Sequence, residues 1–201
     1  MRRAREANTA LGFVVHQGGA SGMKVLAIDI REPHNPRPRW VGFNFSVAFK
    51  RPVKVINDAA MQALGDYRHG NMLFLGLGTG LGSAMIVESL VVPMELAHLP
   101  YKNGTYEDYV GIRGLKRLGK RRWTRYVEDV VERLKAALEP NDTVIGGGNA
   151  KNLQKLPRGC RAGSNAAAFT GGVRLWTNAG GGRRAVEKAS VAPPLSRSRH
   201  S

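Results

Sequence analysis

One cysteine, Cys160, stands among the 201 residues of the chain. A single thiol excludes an internal disulfide framework and any zinc site built from several cysteines, and it fits a reducing compartment. No apolar run reaches the roughly 18 residues that a membrane-spanning helix needs. A cytoplasmic protein without a membrane partner is therefore expected. Acidic residues are scarce as well: 15 stand against 31 lysines and arginines, for a net charge of +16. Such an excess favours polyanionic partners. Hydrophobic residues, at 42%, suffice for a packed core, and the 25 glycines point to tight turns or close backbone approach to a ligand.

Organisation follows from composition along the chain. The segment "MRRAREANTALGFVVHQGGASG" is basic and then briefly apolar, and "ALGFVV" is too short for the apolar region of an export signal. Residues 1–22 read as a flexible extension. "MKVLAIDI" (residues 23–30) is an apolar strand with Asp29 near its end, followed by the proline-rich "REPHNPRPR". "PVKVI" is a strand leading through Asn57-Asp58 into helix formers, and "NMLFLGLG" is a strand entering a glycine turn. "LGSAMIVESLVV" continues as an antiparallel partner with a turn near Glu88-Ser89. Val127, Val130, Val131, Leu134 and Leu138 recur at helical spacing. "DTVIGGGNAKNL" reads as strand, triple-glycine turn and helix start, and "AAAFTGGVRLW" as a last helix ending near Gly171-Gly172. The tail 177–201 has the Gly/Pro/Ser/Arg bias of a disordered segment. Alternating strands and helices make an α/β domain over residues 23–176.

Each candidate station has a plain structural reading beside a chemical one. Asn57-Asp58 at a strand end can cap the following helix, or aim a carboxylate into a ligand crevice. "GLGTGLGSA" is neither a Walker loop nor a dinucleotide fingerprint; it is a glycine-rich hairpin or an anion-binding turn. "VIGGGNA" suits a phosphate at a helix start. Glu95 and His98 can present an acceptor and a donor to one hydroxylated ligand, or be a surface acid and a structural histidine. Glu107 and Asp108 can be the acidic first turn of a helix. "RGLKRLGKRRWTR" (Arg113 to Arg125) holds seven basic residues and no acid: a solvated helix face or a polyanion groove.

The order of these stations, Asn-Asp, Gly-Thr-Gly, Glu-x-x-His, Tyr-Glu-Asp-Tyr and Gly-Gly-Gly, resembles the ROK family of sugar kinases and repressors, and most closely its polyphosphate-glucokinase-like branch. The similarity runs from about Trp40 to Trp176, with "MKVLAIDI" resembling the family's first strand. The resemblance implies the ribonuclease-H-like, actin-like ATPase fold, mainly its second lobe. It implies a glucokinase-type phosphotransferase acting on the 6-hydroxyl of glucose or a similar hexose, with polyphosphate or ATP as donor and Mg²⁺ accompanying it. Asp58 would be the base. Asn57, Glu95, His98 and Glu107 would hold sugar hydroxyls. Asp29, Gly78, Thr79, Gly80, Gly146, Gly147 and Gly148 would serve phosphate or nucleotide, and Arg121, Arg122 and Arg125 a long polyanion. No zinc is implied, since the family's cysteine-rich motif is missing.

The sequence departs from that pattern at a second place as well. The family's first strand continues from its Asp into Gly-Gly-Thr, whereas Asp29 is followed by "IREPHNPRPRW". The remainder of the first lobe, on the order of 100 residues, has no counterpart. Phosphoryl transfer depends on positioning, so turnover is expected to be impaired. Two other readings stand beside the enzyme: a non-catalytic remnant that binds sugar or phosphate, and a basic polyanion-binding protein. A homodimer is left open. Nucleic acid is disfavoured, because only Trp123 and Tyr126 lie among the basic residues to stack on bases.

Overall fold

The structure, a computed structural model, describes residues 10–18, 22–31, 45–49, 53–164 and 166–177. Strands β1 (Ala10–Gly18) and β2 (Gly22–Arg31) form an antiparallel pair. After a short helix α1 (Phe45–Phe49), strand β3 (Val53–Asn57) pairs antiparallel with the other side of β1, giving the order β2-β1-β3. Helix α2 (Asp58–Asp66) leads into β4 (Met72–Leu77), β5 (Leu81–Val87) and β6 (Leu90–Met94). A 3₁₀ turn at Leu96–His98 and a small hairpin, β7 (Pro100–Tyr101) and β8 (Gly104–Thr105), precede α3 (Tyr106–Val110) and α4 (Ile112–Leu138). Then come β9 (Asp142–Gly146), a 3₁₀ turn at Ala150–Asn152, β10 (Cys160–Ala162) and α5 (Ala167–Thr177).

The main sheet runs β10-β9-β4-β5-β6, with β4, β9 and β10 parallel and β5 and β6 antiparallel additions. Alternation along β4 splits its side chains between two cores. Leu73, Leu75 and Leu77 pack with Trp123, Val127, Val130, Val131 and Leu134 of α4. Met72 and Phe74 face the other way, onto Ala59, Ala60, Met61, Ala63 and Leu64 of α2. The helical spacing seen in the sequence is therefore the buried stripe of α4. Arg161 clamps the edge strand β10: it pairs with Asp142 at 2.7 Å and donates to the carbonyl of Asp66 at 2.7 Å.

The β5–β6 hairpin turns at Glu88 and Ser89, where expected, and both residues have positive φ (49° and 69°). That is the mirror-image turn whose twist matches its strands. Several expectations are corrected. Residues 10–18, read as part of a flexible extension, form a strand between two others, because Phe13-Val14-Val15 is a β-favouring run although too short for export. Residues 1–9, 32–44 and 178–201 lie outside the described residues, so the remaining extension and nearly all of the expected disordered tail fall there. The helix expected after the triple glycine is only a 3₁₀ turn.

The last helix does not stop at Gly171-Gly172 but continues to Thr177. The glycines serve packing. A Cβ on Gly171 would lie 1.9 Å from the carbonyl oxygen of Met61, and one on Gly65 would lie 1.8 Å from that of Ala167. Helices α2 and α5 thus touch backbone to backbone. Gly171→Ala or Gly65→Ala should destabilise the fold by on the order of 1–3 kcal/mol through this overpacking. Gly148→Ala, with no atom within 4 Å of the new Cβ, should cost far less in the same urea-denaturation measurement.

Candidate active site

The site begins at the end of β3. Asn57 has extended backbone, and its Oδ1 accepts the N–H groups of Ala59 at 2.8 Å and Ala60 at 3.2 Å. Asn57 is therefore the cap of α2, and Asp58 is its first residue. The Asp58 Oδ1 accepts the N–H of Ala59 at 2.8 Å. Gly82 lets this end of α2 approach β5: a Cβ there would sit 3.1 Å from the Cβ of Ala59.

Burial pushes the Asp58 carboxyl above the ordinary carboxylate range. Backbone N–H groups oppose the shift, and the charge of Glu95 adds to it. Glu95 is exposed and is steered to this place by Ser83, a buried polar residue that no motif in the sequence marks. The Ser83 hydroxyl donates to the carbonyl of Met94 at 2.9 Å and accepts the N–H of Leu96 at 3.2 Å, fixing the chain on both sides of Glu95. His98 closes the following 3₁₀ turn and is exposed.

Gly78, Thr79 and Gly80 form the turn between β4 and β5. Glu107, half-buried in α3, lies against it: a Cβ on Gly80 would be 2.5 Å from its Oε2. Arg113 reaches both Glu107 and Asp108 at 3.5 Å. The second glycine loop follows β9. Gly76 and Gly146 are paired across the parallel strands β4 and β9, so both loops leave the sheet at the same edge. Open α/β sheets bind ligands outside the carboxyl ends of their parallel strands. A cleft of about 320 Å³ opens there, lined by Gly147, Gly148, Ala150, Lys151 and Gly163 among others.

Asp29 lies in β2 opposite Leu11. Gly12 of β1 faces Ile28 on one side and Asn57 on the other, so β2 and β3 run parallel with Ile28 and Asn57 in one row. Asp29 and Asp58 each follow that row by one residue, Asp29 within β2 and Asp58 as the first residue of α2. The structure thus associates Asp58 with Glu95, Gly80 with Glu107, and the two glycine loops with each other.

Arg121, Arg122 and Arg125 are exposed on α4, away from the main core. The helix is interrupted at Gly119, whose φ of 71° and ψ of 158° end one helical run before another starts at Lys120. Trp123, counted as an aromatic available for stacking on bases, is fully buried and donates its indole N–H to the carbonyl of Val110 at 2.8 Å. Tyr126 packs on Tyr109, with ring centroids 5.0 Å apart. A larger cleft of about 860 Å³, between α4 and residues 155–160, contains none of the expected site residues. Burial raises the pKa of the Cys160 thiol at its wall, which disfavours the reactive thiolate. Among the described residues no group of three or more His, Cys, Asp or Glu side chains is placed to hold a metal, and no helix is long and apolar enough to cross a membrane.

A raised carboxyl pKa has a signed consequence for stability. Folded Asp58 keeps its proton to higher pH than the unfolded chain does, so its contribution is lost as pH rises through the folded pKa. Asp58→Asn should therefore raise the thermal midpoint at neutral pH. The difference should shrink towards pH ~4, where the wild-type carboxyl is increasingly protonated. Melting curves of both proteins across that range check it.

No protein-family model and no curated protein sequence matches the chain. Solved structures do. An inorganic polyphosphate/ATP-glucomannokinase from Arthrobacter sp. strain KM is 25% identical, with a TM-score of 0.57 over 66% of this chain. This chain spans only 60% of the length of that enzyme. A ROK-family glucokinase from Streptomyces griseus, in complex with glucose and AMPPNP, is 18% identical, with a TM-score of 0.56 over 73% of this chain and 74% of its own. A ROK hexokinase from Thermus thermophilus is 22% identical, with a TM-score of 0.53 over 68% of this chain and 70% of its own. The mixed five-stranded sheet and its flanking helices thus match the ROK and actin-like ATPase fold of sugar kinases over roughly two-thirds of the chain.

Proposed function

We propose that this chain is a ROK-family sugar-kinase unit of the polyphosphate-glucokinase type, which transfers a phosphoryl group to the 6-hydroxyl of glucose or a similar hexose. The observation that carries this reading is the pair Gly78 and Gly148. Neither has positive φ, and neither has an atom within 4 Å of an added Cβ, so the fold does not require glycine at either place. Both lie just beyond the carboxyl ends of the adjacent parallel strands β4 and β9. Bare backbone facing open space there suits the approach of phosphate oxygens.

In this reading Asp58 accepts the proton of the sugar hydroxyl while that oxygen attacks phosphorus. The bond from phosphorus to the donor's bridging oxygen breaks, and the donor leaves shortened by one phosphate. A carboxyl with a raised pKa is a better base for this than an ordinary one. Glu95, His98 and Glu107, with the Nδ2 of Asn57, would hold the other hydroxyls. Mg²⁺ would neutralise charge on the transferred group when bound. The described residues form no cage of three or more ligands, which suits an ion held by donor phosphates and one or two carboxylates.

Asp29 is not followed by the Gly-Gly-Thr of the family pattern, so positioning is weakened and turnover is slow in this reading. The assay is purified protein with glucose, Mg²⁺ and either polyphosphate or ATP. Weak formation of the 6-phosphate is expected, and Asp58→Asn should abolish it. Turnover that survives Asp58→Asn would sink the assignment of the base.

The donor reading rests on the exposed Arg121, Arg122 and Arg125. Replacing all three with Ser should weaken polyphosphate binding and flatten its salt dependence, each lost phosphate contact reducing the slope by roughly 0.7. An unchanged affinity at low salt would remove these residues from the donor path.

A further inference from the structure

The turn between β4 and β5 has each of its carbonyls tied down. Gly78 O accepts the side-chain Nδ2 of Asn149 at 2.7 Å. Thr79 O accepts the N–H of Ile112 at 3.1 Å, and Gly80 O accepts that of Gly78 at 3.1 Å. The peptide bonds are trans, so each N–H points away from the carbonyl of its own unit. Tying Gly78 O to Asn149 turns the Thr79 N–H away from the β9 loop. Tying Thr79 O to Ile112 turns the Gly80 N–H away from α4. Among the described residues neither N–H meets an acceptor.

Asn149 holds the turn from a different part of the chain. Its own N–H donates to Leu77 O at 2.8 Å. Gly147, at φ +83°, is pressed so closely on Leu77 that a Cβ would lie 2.5 Å from the Leu77 carbonyl oxygen. The backbone contacts alone would dock the two loops. The side-chain amide does something further, because it selects one orientation of the Gly78–Thr79 peptide.

We infer that Asn149 is a positioning residue for phosphate binding at the Gly78–Gly80 turn, its amide holding the Gly78 carbonyl so that the Thr79 N–H is presented to a phosphate oxygen of the donor. The inference rests on the reading of this turn as the donor's phosphate site. Asn suits the task because it donates where the turn offers an oxygen. Asp at the same place would set a carboxylate against Gly78 O, and Ala would leave the peptide without a partner.

The test uses the full chain labelled with ¹⁵N and titrated with inorganic tripolyphosphate. In the wild type the Thr79 and Gly80 amide signals should move and saturate. In Asn149→Ala and the isosteric Asn149→Asp the affinity at those amides should fall about 3–10-fold, from the loss of one hydrogen bond. The free-state Thr79 signal should shift, while the affinity for glucose and the signals of α4 stay unchanged. A wild type whose Thr79 and Gly80 amides do not respond would overturn the phosphate reading of the turn and this inference with it. A normal wild-type response with unchanged affinity in both variants would overturn the role of Asn149 alone.

Discussion

Asn57 accepts the N–H groups of Ala59 and Ala60, and the arrangement of the crevice depends on that cap. A helix start needs an acceptor for its unpaired donors, and two adjacent residues here could supply one. Asn57 takes most of the task, and the Asp58 carboxylate shares the N–H of Ala59 with it. It is pushed towards its protonated form by burial and, to a smaller degree, by Glu95. The same cap fixes where α2 leaves β3, and hence how closely Ala59 meets Gly82.

A second constraint is backbone-to-backbone contact made through glycine. Gly147 against Leu77 joins the two loops at the sheet edge, and Gly171 against Met61 joins α5 to α2. Neither contact tolerates a side chain. Gly78 and Gly148 differ, since space is open beside them. Glycine composition alone cannot separate these uses; only the neighbours of each Cα can.

The strands and long helix were legible because their signals are local. β4, β5 and the buried stripe of α4 follow from periodicity, and the Glu88-Ser89 turn from the polar break between two apolar runs. The order of the stations around Asp58 gave the fold, which the solved structures match. What was not legible depends on distant partners. Phe13-Val14-Val15 became a strand by pairing with β2 and β3 on either side. Gly171-Gly172 reads as a stop until α2 is placed beside it. Trp123 looks available among arginines until Val110 is found at its indole N–H. Asn149 is visible only as the residue after three glycines, and its bond to Gly78 spans 71 positions of sequence.

The break at Gly119 gives one stretch of helix two positive poles. Peptide dipoles begin to add again at Lys120, and Arg121 and Arg122 fall in that first turn, where helix electrostatics favours acids. The segment is therefore held in place by the burial of Trp123 and the valines behind it, against its own charge. Dissolved anions relieve that opposition.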